Sequence, residues 1–157
     1  EAVRSLPTDV YALVIGRGSN NAVERTRQAA QHAGVGDRLI IAPQVDRIQD
    51  VMAISDVVLS LSTKAESFGR TVAEALALGR PVIGYDHGGV GEILARLYPQ
   101  GRVPVGDGRI LVERIRSFLA DPPHVPDEQP FLKSRMQAET LRVYRELTEQ
   151  TTCPEKP

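Results

Sequence analysis

A single cysteine, Cys153, lies in the polar C-terminal stretch TTCPEKP, so the sequence offers neither an intrachain disulfide nor a cluster of thiolate metal ligands. A reducing compartment fits that usage. No charge of one sign prevails either: 19 Lys and Arg against 20 Asp and Glu leave a formal net charge of −1. Acids and bases are mixed along the chain, which leaves no basic field for a phosphate polymer and argues against a nucleic-acid partner. No uniformly apolar run is long enough to span a bilayer, so no transmembrane segment is expected. There is no low-complexity tract, and no secretory signal opens the chain. The first residue is Glu1, and EAVRSLPTD reads as the end of a helix, which suggests a piece cut from a longer protein.

What remains is ordinary globular material. The 157 residues, 41% hydrophobic and 25% charged, suit one domain over 1–157 with a buried core. Runs rich in Val, Ile and Leu at 10–15, 38–42, 57–61 and 81–85 are each followed by a Gly, Ser or Asn cluster and a helical stretch. That rhythm predicts βα units around a mostly parallel sheet of five or six strands, a Rossmann-like three-layer α/β fold. VYALVIG, VVLSLS and PVIGY are apolar almost throughout, as expected for parallel strands covered by helices on both faces. Helices are predicted at 21–33, 46–54, 70–78, 90–97 and 108–120, with Gly34 and Gly79 as stops and a weak fifth strand near Arg102 to Val105. DPPHVPDEQP, with four prolines, must cross in extended form. A last helix, 131–149, carries a stripe of Leu132, Met136, Leu141, Tyr144 and Leu147 suited to packing on the sheet or on a neighbouring lobe, and 150–157 reads as a frayed tail.

The chemistry concentrates between Ser62 and Leu94, where Glu66 and Glu74 flank a loop-to-helix transition just past a buried strand. Open parallel sheets bind ligands in crevices at the carboxyl ends of their strands. Phe68, Gly69, Arg70 and Thr71 open the helix, and first-turn amides with the helix dipole suit a phosphate oxygen. Gly69 lets a ligand approach the main chain. With a pyrophosphate there, Glu66 and Glu74 lie to either side, and carboxylates accept paired hydrogen bonds from the vicinal diols that nucleotide sugars carry. Plainer readings fit the same residues. TVAE, Thr71 to Glu74, also fits a capping box that satisfies only the helix start, and Glu66 alone fits a solvated loop acid.

On these residues the chain resembles the family 4 glycosyltransferases of the GT-B fold. Glu66, seven residues and Glu74, with Phe68-Gly69 between, then EALALGRPVIG and HGGVGEI, follow that family's donor-site signature. Upstream, VIGRGSN, RLIIAPQV and MAISDVVLSLS keep its order and spacing, so the resemblance runs from Tyr11 to Asp107. It implies the C-terminal, donor-binding lobe of a retaining enzyme, with the donor diphosphate at the helix start of Arg70 and Thr71. Glu66, the catalytic candidate, would hold the transferred sugar together with Ser67 and the amides of Phe68 and Gly69, and Glu74 would bind the ribose. The base would lie against Ile41, Ala42, Pro43 and Gln44 and near Ile48. Gly16, Arg17 and Gly18 would face the phosphates, or form only a tight βα turn. Arg70 stands where many relatives carry an aliphatic residue and either adds charge near the phosphate or is a solvated first-turn arginine. Gly88, Gly89 and Glu92 match the family's GGxxE segment, although Glu92 also suits a helix N-terminus. His87 reads as structural or exposed, with no second ligand at metal spacing, so neither a metal nor a cofactor is expected.

The departures matter too. Relatives carry a basic residue and a lysine on a loop upstream of the point where this chain begins, and an N-terminal lobe that binds the acceptor. The fragment alone is therefore expected to bind donor without completing transfer, since that needs charge stabilisation in a closed, dry cleft. The expected partners are a nucleotide sugar and, through the missing lobe, a glycan or lipid-linked glycan. STKAESFGRT resembles bacterial members that build lipopolysaccharide or other surface glycans, which implies a cytoplasmic enzyme able to meet the inner face of the membrane peripherally. Two other readings fit the fold. A sugar-nucleotide 2-epimerase shares the GT-B fold, but the Glu66 and Glu74 pairing argues against it. The other is a non-catalytic nucleotide-binding or regulatory module of flavodoxin-like design; against it stands the absence from VIGRGSN of the acidic cluster that such phospho-receivers require after the first strand.

Overall fold

The computed structural model describes residues 2–127, 130–131 and 133–150. Two compact units divide it, one ending at Pro126 and the other beginning at Asp127. In the first unit a 3-10 turn at Ala2–Ser5 precedes β1 (Ala12–Ile15), α1 (Asn20–His32), β2 (Leu39–Ala42), α2 (Ile48–Ile54), β3 (Val58–Ser60), α3 (Arg70–Ala77), β4 (Val82–Tyr85), α4 (Gly88–Leu97), β5 (Arg102–Val103) and α5 (Gly108–Ala120). The opening residues thus contribute one helical turn, tied down where Arg116 donates to the Ser5 carbonyl.

Helix ends follow local chemistry. Ser19 caps α1 by accepting from the Ala22 amide at 3.3 Å, and Asp107 caps α5 by accepting from Ile110 at 2.9 Å. Gly34 and Gly79, at φ 69° and 67°, stop α1 and α3 where expected.

Every strand pair is parallel, but the strands do not form one continuous ladder. β1 pairs with β2, and separately β3, β4 and β5 pair in that order, where a single sheet of five or six strands was expected. Burial divides along the same line. In β4, Val82 and Ile83 are fully buried, as the PVIGY run predicts. In β1, Leu13 and Val14 remain 43% and 48% exposed, and Ile40 of β2 is 50% exposed, so the apolar runs there are not covered on both faces. A run of apolar residues reports a preference for burial and does not specify which element supplies the cover.

The core gathers around β4. Val72 and Leu76 of α3, Leu94 of α4, Val103 of β5 and Phe118 of α5 are all buried there. Gly84 permits the close packing of α4, because a Cβ would stand 2.7 Å from Val90 Cγ1 and 2.9 Å from Leu94 Cδ1. Tyr98 meets Phe118 edge-on at 5.9 Å between ring centroids and donates its hydroxyl to the Pro123 carbonyl at 2.9 Å. This burial pushes the Tyr98 phenol above its ordinary range. Residues 121–127 run without regular structure, as their prolines require.

The second unit contains α6 (Lys133–Gln150). Its expected stripe residues Met136, Leu141, Tyr144 and Leu147 are exposed. Leu132, Cys153 and the rest of the 151–157 tail lie outside the described residues, as does Glu1. Among the described residues no helix is long and apolar enough to cross a membrane.

Candidate functional site

The loop from Leu61 to Gly69 leaves the carboxyl end of β3 and delivers the chain to α3. Its side chains are mostly exposed, so backbone contacts rather than burial define its course. Ser62 Oγ donates to the Lys64 carbonyl at 2.7 Å and accepts from the Lys64 amide at 3.2 Å, closing a turn. The Gly89 amide donates to the Glu66 carbonyl at 2.8 Å. Histidine supplies a further tie, with His87 Nε2 2.8 Å from the Ser62 carbonyl oxygen.

Two glycines permit this close approach. Gly88 sits at φ 52°, and a Cβ there would stand 2.7 Å from the Glu66 oxygen; a Cβ on Gly89 would run into the Phe68 backbone. The GG segment thus forms the surface on which the Glu66 loop rests.

Gly69 is the N-cap of α3 at φ 82°, a left-handed conformation natural to glycine. The first helical bonds run from the Val72 and Ala73 amides to the Gly69 carbonyl, at 3.1 and 3.3 Å. Arg70 and Thr71 therefore occupy the two positions whose amides lie ahead of the helical ladder and point out of the helix start. Starting at Gly69 also removes the capping-box alternative. Thr71 is the second helical residue instead of the cap, and the Glu74 carboxylate meets Arg70 Nη2 at 3.1 Å. That ion pair is open to water, with the Arg70 side chain 82% exposed, so it adds little to stability.

The other candidate residues line a cleft of about 840 Å³. Gly16, Arg17 and Gly18 after β1 form one wall, and Ile41, Ala42, Pro43 and Gln44 after β2 form another. All seven were expected at the site, and the structure brings them together. The third wall, Asn20, Asn21, Glu24 and Arg27 of α1, was missed. Its signal was available: Asn20, Val23, Glu24 and Arg27 recur at helical spacing, which puts them on one face. Ile48 packs against the core as the first residue of α2 and is not among the cleft's lining residues; neither are Glu66 to Thr71 or Glu74. Glu92 is exposed on α4.

One further arrangement was not anticipated. Arg102 at the start of β5 donates from Nε and Nη2 to the two Asp86 carboxylate oxygens, at 2.9 and 2.6 Å, clasping the carboxyl end of β4. That hydrogen bonding raises the Arg102 guanidinium above its ordinary range. Among the described residues there is no group of three His, Cys, Asp or Glu placed to hold a metal ion.

The arrangement can present amides to an anion at α3, carboxylates to hydroxyl groups at Glu66 and Glu74, and cations with amide side chains in the β1–β2 cleft. Comparison with known proteins agrees with an α/β lobe. The family model described as glycosyl transferases group 1 matches residues 1–134. The 2-deoxystreptamine N-acetyl-D-glucosaminyltransferase of Streptomyces fradiae is 32% identical over 123 residues, covering 77% of this chain and 28% of that protein. A glycosyltransferase from Rickettsia africae ESF-5 superposes with a TM-score of 0.84 at 22% identity, over 96% of this chain and 43% of its own. Anabaena HepE in complex with UDP-glucose gives 0.73 at 22% identity, over 95% of this chain and 42% of its own. This chain spans between 28% and 43% of the length of these proteins.

Proposed function

We propose a function from one premise: this chain belongs to the group 1 glycosyl transferases, and its α/β fold is that of a GT-B lobe. It acts as the C-terminal, donor-binding lobe of a retaining transferase that moves a sugar from a nucleoside diphosphate to a hydroxyl of a glycan acceptor, in surface-polysaccharide synthesis. The acceptor is held by the remainder of a longer protein.

The observation that carries this reading is the start of α3. Gly69 turns the chain so that the Arg70 and Thr71 amides meet the donor diphosphate, with Glu66 before them and Glu74 one turn later. Glu66 accepts hydrogen bonds from the transferred sugar. Glu74 leaves its exposed pairing with Arg70 to accept from the ribose diol. The β1–β2 cleft, with Arg17 and Arg27, accommodates the nucleotide end. In the transfer the bond between the anomeric carbon and the diphosphate oxygen breaks, and the acceptor oxygen bonds to the same face of that carbon. The acceptor proton leaves with the diphosphate. Fixed amides aimed at the leaving oxygens lower the cost of the developing charge. No side chain serves as a covalent nucleophile in this scheme, and no metal or cofactor is used.

Calorimetric titration of the chain with UDP, GDP and ADP and their sugars tests the proposal, beside Glu74→Ala. The expected result is saturable binding of one diphosphate series, weakened about tenfold or more by loss of hydrogen bonds to a charged group. Absence of binding to any of the three by the folded chain would count against the donor-site reading.

A further inference from the structure

We propose that His87 is a positioning residue for the donor loop: the hydrogen bond from its Nε2 to the Ser62 carbonyl anchors the 62–68 segment over the first turn of α4. The inference rests on the donor-site reading of Glu66 for its consequence, but not for the anchor itself.

Beyond its packing on Gly88 and Gly89, the loop is held by hydrogen bonds to its carbonyls. Residues 62–68 are exposed, so apolar burial does not fix their path. Across the loop, the Gly89 amide holds the Glu66 carbonyl at 2.8 Å, and His87 Nε2 holds the Ser62 carbonyl at the same distance. A carbonyl oxygen only accepts, so Nε2 carries the proton in this contact. The imidazole is free to make it because of its backbone. His87 occupies the N-cap of α4 with extended φ and ψ of −159° and 159°, and its side chain makes no capping bond to its own helix. Its main chain is fixed on both sides: the amide donates to the Tyr85 carbonyl at 2.9 Å, and the carbonyl accepts from Gly91 at 3.0 Å. A half-buried imidazole on a fixed backbone thus reaches the near end of the loop while Gly89 holds the far end.

Two tethers define the direction of the segment between them, and that segment carries the Glu66 side chain. Without the His87 contact, the Gly89 bond and the packing on Gly88 and Gly89 still hold the Glu66 end, while the Ser62 carbonyl loses its tether. Because a site side chain gains affinity from being held before the ligand arrives, loosening the Ser62 end should weaken ligand binding without unfolding α4.

Amide hydrogen exchange on the ligand-free chain tests the anchor with two variants. In His87→Leu, which keeps bulk but has no donor, the Lys64 and Gly89 amides, which bond to Ser62 Oγ and the Glu66 carbonyl, should exchange about fivefold faster, the worth of one neutral hydrogen bond. In His87→Gln, whose side-chain amide can donate, they should stay near the wild-type rate. Unchanged exchange in the leucine variant overturns the proposal. So does equal loosening in both variants accompanied by faster exchange in β4 and the rest of α4, which would make His87 a packing residue.

The same three proteins are then titrated with UDP-glucose, GDP-mannose and ADP-glucose. Binding by the wild type and His87→Gln, weakened about fivefold in His87→Leu, supports the anchor together with its consequence. Binding unchanged in His87→Leu despite faster exchange overturns the positioning role. If no sugar nucleotide binds the wild type while exchange behaves as expected, the donor-site reading fails and the anchor stands.

Discussion

Replacing Gly89 by alanine sets two effects against each other at one position. Gly89 is the second residue of α4, and alanine is the better helix former by about 1 kcal/mol at an interior site and less near an end. Against that stands the Phe68 backbone, with which a Cβ at residue 89 would collide. Backbone cannot rotate away as a side-chain tip can, so either the 65–69 loop lifts or α4 shifts. Overpacking of this kind costs about 1–3 kcal/mol, so it outweighs the propensity gain and leaves the variant about 1–2 kcal/mol less stable. Gly108→Ala is the control. Gly108 opens α5, and nothing lies within 4 Å of the position its Cβ would occupy. That variant should be neutral, or stabilised by up to about 1 kcal/mol. Urea unfolding followed by circular dichroism measures both. If the two alanine variants agree to within about 0.5 kcal/mol, the loop does not rest on α4 as described.

Four further outcomes follow from the same structure. Tyr98→Phe should cost about 1 kcal/mol by leaving the Pro123 carbonyl without its phenol donor, read as a shift in urea midpoint. Burial raises the folded-state Tyr98 pKa above the ordinary tyrosine value of about 10, so the native chain retains a proton that the unfolded chain releases. Its contribution is present below that value and declines as pH rises through and beyond it; alkaline unfolding should therefore be less steep in Tyr98→Phe. Arg70→Ala should change stability by less than about 0.5 kcal/mol, because the pair with Glu74 is exposed, and a larger loss in thermal unfolding would contradict that assignment. Arg27→Ala should weaken diphosphate binding and flatten its dependence on salt, as removal of a cation from the cleft requires; titration at two ionic strengths would reveal an unchanged slope if Arg27 plays no part.

Much of the fold was legible because helix ends have local causes. Gly34 and Gly79 adopt the left-handed conformation that ends a helix, and α3 and α5 begin at the predicted residues. The division of the strands into two ladders was not legible, since the apolar runs of β1 and β4 look alike while their surroundings differ: Leu13 is 43% exposed and Ile83 is fully buried. At the site, TVAE satisfies the capping-box pattern, yet Gly69 starts the helix two residues earlier and makes the pattern coincidental. The cleft wall of α1 needed only helical spacing to be seen, but a polar face on an amphipathic helix ordinarily reads as solvated. His87 could not be assigned from sequence, because its partner, Ser62, lies 25 residues away and becomes a neighbour only when α4 docks against the β3 loop.

The central claim is that the start of α3 receives the donor diphosphate. Nitrogen-15 NMR of the chain, titrated with the nucleotide sugar that calorimetry selects, tests it most directly. The account predicts saturable shifts at the Gly69, Arg70 and Thr71 amides, accompanied by shifts at Gly16, Arg17 and Gly18. Saturable shifts confined to other surfaces, with the Arg70 and Thr71 amides unmoved, would contradict it.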